Sequence, residues 1–256
     1  MALPLRDKLT LLLPPSLYYR RRIAHETGAG EPELAMLGAL MPRGGTAVDV
    51  GCNQGIFAFA LAGVAGRVVA IEANPDYALF ARWMLRGRAE VLACALSDKA
   101  GRATFTVPIS EEGMSLHYAG SLKGTHTQFA RSKSYEVEVR RLDDLALRDV
   151  RFIKADVEGS EREVLDGGRD TVMRDRPAIL LELLSGTHED PYAVTDGICR
   201  DFGYEAVIVH KGAQIAALPA IKALGKNTSW GSDIETRNVL FLPSTSRPKS
   251  PNGAAW

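Results

Sequence analysis

The stretch Ala47-Val48-Asp49-Val50-Gly51-Cys52-Asn53-Gln54-Gly55 constrains the fold more than any other. Small and apolar residues frame one aspartate, and the run stops at glycine. This pattern reads as a short buried strand ending in a tight turn. The apolar run Ile56 to Ala62 that follows is compatible with a helix. Strand, glycine-bearing turn and helix form the first unit of a nucleotide-binding α/β fold, whose ligands sit at the carboxyl ends of the strands.

Glycine spacing narrows the ligand. A dinucleotide fold requires G-x-G-x-x-G, so that the backbone can approach a pyrophosphate. Here the pattern is Asp49-x-Gly51-x-x-x-Gly55, with Asn53 and Gln54 between the glycines. That disfavours an NAD-dependent oxidoreductase. The loop suits a ligand without phosphates, such as S-adenosylmethionine, which has a zwitterionic amino-acid end, a sulfonium and a ribosyl adenine. A second acid agrees with it. Arg67 to Glu72 reads as another buried strand, and Glu72 lies 21 residues after Gly51. An acid about 20 residues beyond the glycine turn binds ribose hydroxyls. The expected cofactor contacts are Asp49, Gly51, Asn53, Gly55, Glu72 and the adjoining Ala73. A plain βαβ unit with two capping acids is the blander reading, disfavoured because both acids end strands of one unit.

At 256 residues the chain can form one α/β domain with additions. Its 31 basic and 31 acidic residues cancel, so it lacks the basic excess of a nucleic-acid binder. Cys52, Cys94 and Cys199 are far apart and form no C-x-x-C. They point to a reducing, cytoplasmic compartment and away from structural zinc. We expect an N-terminal helical extension over 1–44, the main domain over 45–243, and a disordered tail over 244–256, rich in Ser, Pro, Gly and Lys.

Leu9 to Leu13 is apolar, but Pro14-Pro15 cuts it short. It is too short to span a bilayer and precedes no A-x-A site, so neither a membrane helix nor a signal peptide is expected. Leu17-Tyr18-Tyr19-Arg20-Arg21-Arg22 sets aromatics beside three arginines. The plainer reading is a helix packed on the domain; weak contact with an anionic membrane or a lipid-linked substrate is the alternative. Helices are predicted over Glu33–Met41, Asp76–Arg86 and Asp190–Phe202, and strands over Glu90–Leu96, Tyr204–His210 and Arg237–Leu242. The strand from Glu90 ends at Ser97-Asp98, where an adenine would lie.

Residues 99–149 depart from plain α/β alternation. Ala103–Val107 and Tyr135–Arg141 carry strand patterns, and the loop between them is rich in Gly, Ser, Thr and His. A β-hairpin-like insertion with a functional loop is expected. His117 and His126 lie in that loop. Histidine is the commonest general base, and His117 is taken as the catalytic candidate of the two.

Arg151-Phe152-Ile153-Lys154-Ala155-Asp156-Val157-Glu158-Gly159 is the second informative stretch. It reads as a strand that gains charge toward its carboxyl end, with Lys154, Asp156 and Glu158 on one face. Ser160 and Glu163 match a capping box, which assigns Glu161 and Glu163 to helix initiation. Asp156 and Glu158 stay unexplained by that box and are the leading catalytic candidates. Glu182 lies inside the apolar run Ala178–Leu184. It must be paired, with Lys154 or at the cleft beside Asp156, or it costs several kcal/mol.

The segments Asp49–Gly55, Glu72, Leu142–Leu145, Ile153–Glu161 and Arg176–Glu182 resemble the FkbM-type methyltransferases, over about Ala47 to Leu184, with a weaker echo at Asn238–Leu242. The I-K-x-D-V-E-G-x-E stretch is the most specific part. Cys52 stands where such loops usually carry a smaller residue. The resemblance implies a class I, Rossmann-like fold: a seven-stranded, mostly parallel sheet with an antiparallel last strand, helices on both faces, and the hairpin between strands 3 and 4. It implies S-adenosylmethionine as cofactor, S-adenosylhomocysteine as product, and O-methylation of a small-molecule, sugar, glycan, lipid-linked or polyketide-type hydroxyl. An N-methyltransferase, or a non-catalytic binding protein of the same fold, is the alternative. Asp156 or Glu158 would take the hydroxyl proton. A divalent cation on Asp156, Glu158 or Glu182 is a second way to acidify the hydroxyl; no metal-ligand set is assigned.

Overall fold

A computed structural model describes residues 5–41, 43–110, 116, 119–123, 131–184, 188, 190–224 and 236–244. The N-terminal extension forms α1 (Leu5–Thr10), α2 (Pro15–Gly28) and the short α3 (Leu37–Leu40). The sheet unit then runs β1 (Thr46–Val50), α4 (Ile56–Leu61), β2 (Arg67–Ile71), α5 (Pro75–Met84) and β3 (Glu90–Leu92). Next come β4 (Ala95–Leu96), β5 (Gly101–Ile109), β6 (Arg131–Arg140), β7 (Val150–Ala155), α6 (Glu161–Asp166), α7 (Arg169–Asp175) and β8 (Ala178–Glu182). The chain continues through α8 (Pro191–Phe202), β9 (Tyr204–His210), β10 (Ala213–Ala216), α9 (Ala217–Leu224) and β11 (Asn238–Pro243).

The main sheet has the order β10-β9-β11-β8-β7-β1-β2-β3. Strands β3, β2, β1, β7 and β8 pair in parallel, whereas β11 runs antiparallel to both β8 and β9. Eight strands are present where seven were expected. The eighth, β10, is an edge strand that turns back on β9 through Lys211 and Gly212, both at positive φ.

Period-2 alternation sends successive strand residues to opposite faces. Val48, Val50, Ile153 and Ile179 pack with α6 to α9 on one face. Ala47, Phe152, Leu180 and Leu240 pack with α2 to α5 on the other. Each large apolar side chain so buried contributes roughly 1.5–3 kcal/mol. Both faces being covered explains why the strands read as near-continuous apolar runs.

Two predicted elements divide. The strand predicted over Glu90–Leu96 splits, because Ala95 and Leu96 leave the main sheet to pair with Val139 and Arg140 of β6. The helix predicted over Glu33–Met41 becomes a 3₁₀ turn at Pro32–Ala35 followed by α3. The Glu33 carboxylate in that turn is anchored by the Thr236 hydroxyl. Strands β5 and β6 pair antiparallel from Gly101↔Val139 to Ile109↔Arg131 and pack a small apolar cluster around Phe105 and Val137. His117, His126 and the tail beyond Ser244 lie outside the described residues.

Candidate functional site

The carboxyl ends of β1 and β7 lie side by side where the strand order reverses, the place where open α/β sheets bind ligands. Two cavities open there, of about 310 and 290 Å³. Gly51, Asn53, Asp156 and Arg237 belong to the walls of both. They therefore form one divided cleft across the strand ends.

The first cavity has two chemically different ends. Glu72 and Ala73 follow β2 and face an apolar wall of Cys94, Ala95, Leu96, Phe105 and Leu122. Each Glu72 oxygen accepts one backbone N–H at 2.7 Å, from Asn53 and from Asn74. Burial pushes the Glu72 carboxyl up to about 7, against those two N–H groups. Gly51 turns the chain at φ 76°, and a Cβ there would lie 1.9 Å from the Asp156 carbonyl oxygen. Only glycine lets the loop after β1 lie against the turn after β7.

At the other end stand Asp156, Glu158 and Glu182, with Arg237. Asp156 Oδ2 lies 3.7 Å from Lys154 Nζ, and Glu182 Oε1 lies 3.3 Å from an Arg237 guanidinium nitrogen. Glu182 also hydrogen-bonds Asp156. Of the two partners expected for Glu182, the cleft beside Asp156 is correct; the ion-pair partner is Arg237, since Lys154 lies opposite Leu180 and reaches Asp156. Burial, then the Asp156 charge, pushes Glu182 well above the usual carboxylate range. Burial, then Asp156 and Glu161, pushes Glu158 up to about 8.

Glu161 builds the turn that presents these acids. It is fully buried and accepts from the N–H groups of Val157 at 2.9 Å and Gly159 at 3.1 Å. His188 Nε2 lies 2.6 Å from the same carboxylate. These bonds hold Glu158 at φ 55°. The capping box is not formed: Ser160 makes no side-chain cap bond, and Glu163 pairs with Lys123 at 2.6 Å. Lys123 Nζ also donates to the Gly159 carbonyl at 2.6 Å, and Ser121 Oγ to the Glu158 carbonyl at 3.1 Å. The insertion is thereby fastened over the acidic end.

The second cavity contains charge without hydrogen-bond partners. Asp49 and Lys154 are register neighbours on β1 and β7. The Lys154 ammonium is buried over the Phe57 ring at 5.3 Å and makes no hydrogen bond; Asp49 Oδ2 makes none either. Burial pushes Asp49 up to about 7, opposed by Lys154. Burial also opposes the Lys154 charge, but Asp156, Glu31, Glu182 and Asp49 outweigh it and hold the ammonium above its ordinary range.

The N-terminal extension walls this cavity. Tyr19 donates to the Gln54 carbonyl at 2.8 Å and Tyr18 to the Gln54 side chain at 2.5 Å. Glu31 accepts from Asn238 Nδ2 at 2.6 Å and pairs with Arg237.

Of the expected site residues, Gly51, Asn53, Glu72, Ala73, Asp156 and Glu158 line the first cavity, and Asp49 lines the second. Gly55 lines neither; at φ 80° it caps α4 under Tyr19 and Leu85. Ser97 and Asp98 also line neither. Once Ala95 and Leu96 pair with β6, Ser97 N–H donates to the Arg140 carbonyl and Asp98 is exposed. Arg237, Glu31 and the Glu161–His188 pair were not singled out as site residues by sequence reasoning. Arg237, Glu31 and His188 enter through long-range contacts that no local spacing marks, whereas Glu161 bonds its own turn and closes the I-K-x-D-V-E-G-x-E stretch. Among the described residues, no group of three or more His, Cys, Asp or Glu side chains is placed to hold a metal ion, and no helix is long and apolar enough to cross a membrane.

The family profile of the methyltransferase FkbM domain matches residues 49–206, which contain both acidic strand ends. The chain belongs to the FkbM methyltransferase domain family. The FkbM methyltransferase of Methylobacillus flagellatus KT has a similar fold: 18% identity, TM-score 0.51, covering 85% of this chain and 49% of that one. This chain thus spans about half the length of that protein. More distant similarity links it to a TehB-like SAM-dependent methyltransferase from Corynebacterium glutamicum ATCC 13032, 15% identical, TM-score 0.42, covering 90% and 98% of the two chains. Precorrin-6y C5,15-methyltransferase from Geobacter metallireducens GS-15 is also 15% identical, with TM-score 0.41 and coverage of 83% and 85%. No curated protein compared with the chain matches it in sequence.

Proposed function

We propose that this protein is an S-adenosylmethionine-dependent O-methyltransferase acting on a hydroxyl of a sugar, glycan, lipid-linked or other polyol-like small molecule. The observation that carries the reading is the divided cleft. Its apolar end holds one buried carboxylate, Glu72, and its other end holds three carboxyl groups. The second cavity adds a carboxylate oxygen and an ammonium that make no hydrogen bond.

The donor set fits the cofactor. Glu72 keeps lone pairs for ribose hydroxyls, with Ala95, Leu96 and Phe105 flanking an adenine. Asp49 and Lys154 match the ammonium and carboxylate of the zwitterionic end in sign. Bound S-adenosylmethionine supplies a methyl carbon on a sulfonium sulfur, open to in-line displacement by an acceptor oxygen.

The protein must place that oxygen about 3–3.5 Å from the methyl carbon and accept its proton. With that cofactor bound, Asp156 would take the hydroxyl proton as the acceptor oxygen gains the methyl group and S-adenosylhomocysteine leaves as the thioether. The Lys154 ammonium stands 3.7 Å from Asp156 Oδ2, on the side where that carboxylate would receive the proton. Glu158, raised to about 8, is largely protonated at neutral pH and serves better as a hydrogen-bond donor to the acceptor. Glu182 hydrogen-bonds Asp156 and, held by Arg237, orients it.

Calorimetric titration with S-adenosylhomocysteine, with NAD as control, tests the cofactor. One-to-one micromolar binding that Asp49→Ala abolishes supports the reading, and binding of NAD alone overturns it. Transfer of a labelled methyl group to sugar hydroxyls then tests the O-direction. Transfer only to amines would replace it with N-methylation.

A further inference from the structure

Between Asp7 and Glu26 the sequence holds no acidic residue, while Lys8, Arg20, Arg21 and Arg22 are basic. Four large apolar side chains in the same segment face outward. Leu9, Leu12, Leu13 and Leu17 are 40–80% exposed, Leu12 the most. A single exposed leucine is ordinary, but four within nine residues mark an interaction surface.

The packing fixes which way this surface points. Asp7 bonds the Tyr77 hydroxyl and holds α1 against the domain. Tyr18 and Tyr19 bury the inner face of α2. Residues 17, 20, 21 and 24 recur at i, i+3, i+4 and i+7 on the opposite face, and all four are exposed. Leu12 and Leu13 thus lead directly into the start of α2, where Leu17 is exposed, with Arg20 and Arg21 about one turn further on.

We infer that this surface docks on an anionic phospholipid bilayer. The leucines enter the boundary between headgroups and acyl chains, while Lys8, Arg20 and Arg21 lie at the lipid phosphates. Charge selects this occupant. A second copy of the chain would bring the same cations face to face across a twofold axis. Arg22 and Glu26, on the inner side of α2, pair with each other and line the second cavity. Docking therefore leaves the cleft wall intact. The inference is independent of methyl transfer.

Flotation of the full chain with vesicles tests it. The protein is expected to float with phosphatidylcholine vesicles containing phosphatidylglycerol, not with phosphatidylcholine alone, and to be released by salt. At about 1 kcal/mol per basic side chain, Arg20→Gln/Arg21→Gln weakens partition about thirty-fold. Leu12→Ser/Leu13→Ser is expected to weaken it at least tenfold, with the thermal midpoint of both variants unchanged. Failure of the wild type to float with anionic vesicles overturns the inference, as does wild-type partition by both variants. A dimer in light scattering that Leu12→Ser/Leu13→Ser converts to monomer would assign the surface to a second copy instead.

Discussion

The backbone N–H of Asn53 donates to Glu72 at 2.7 Å, tying the glycine loop after β1 to the acid at the end of β2. Glu72 thus shapes the loop as well as facing the cavity. Ribose hydroxyls would donate to its remaining lone pairs, which favours the ionised carboxylate. Burial holds this group at about 7, so ionisation of Glu72 should by itself raise affinity for S-adenosylhomocysteine about tenfold between pH 6 and 8, with Asp49 adding to the rise. Glu72→Gln should weaken binding by about 1.5–3 kcal/mol and make the pH dependence about tenfold shallower, leaving the share of Asp49. Calorimetry across that range checks both, and a flat wild-type profile counts against the ribose role.

Gly51 meets two demands at once, a φ of 76° and contact with the Asp156 backbone. A methyl group in place of the hydrogen must move one strand end away from the other. Gly51→Ala should therefore destabilise by at least about 1–3 kcal/mol from backbone conformation alone, and lose cofactor binding. Urea unfolding with parallel calorimetry measures this. Unchanged values for both would mean that the loop adapts.

The two acids after β7 should separate in kinetics. Asp156→Asn removes the proton acceptor but keeps its shape, so kcat should fall about 10²–10⁴-fold while cofactor affinity holds. Glu158→Gln keeps a donor at the same place and should cost less than tenfold in kcat, acting more on KM for the acceptor. The reverse ranking would make Glu158 the base.

Glu161 is the residue on which the acidic turn depends. It accepts two backbone N–H groups and the His188 ring while fully buried. Glu161→Ala leaves those buried donors unpaired and should destabilise by about 3–5 kcal/mol. Glu161→Gln retains one acceptor oxygen and should fold, with kcat reduced more than cofactor affinity. Equal loss in both quantities would assign Glu161 to general stability only.

Local spacing carried much of this in the sequence. Asp49, Gly51 and Glu72 follow from strand ends and glycine positions, and Asp156 and Glu158 from charges that interrupt an apolar strand. Legibility failed where a local rule met a long-range contact. The Ser160–Glu163 pair satisfies the capping pattern, yet Lys123 from the insertion captures Glu163 and the turn captures Glu161. Ser97 and Asp98 fall at a strand end by count, but pairing with Val139 and Arg140 pulls that end into another sheet. Arg237 meets Glu31 across 206 positions, a distance at which no periodicity operates.

The raised carboxyl groups also predict how stability depends on pH. Asp49 and Glu72 are held at about 7 and Glu158 at about 8, in each case chiefly by burial. Unfolded, they titrate near 4. The folded state therefore binds more protons than the unfolded state between about pH 4 and 8, and stability falls as pH rises through that window. Below it the contribution is complete; above about 8 it is lost. For each group the slope is at most about 1.4 kcal/mol per pH unit, and mutual repulsion links the three. The ligand-free protein should melt at progressively lower temperature from pH 5 to pH 8, and Glu72→Gln should reduce that decline. Saturating S-adenosylhomocysteine should reduce it too, because binding favours the ionised forms of Asp49 and Glu72. A thermal midpoint that rises across the same range would mean these carboxyl groups are ionised in the empty cleft, with Lys154 and Arg237 outweighing burial.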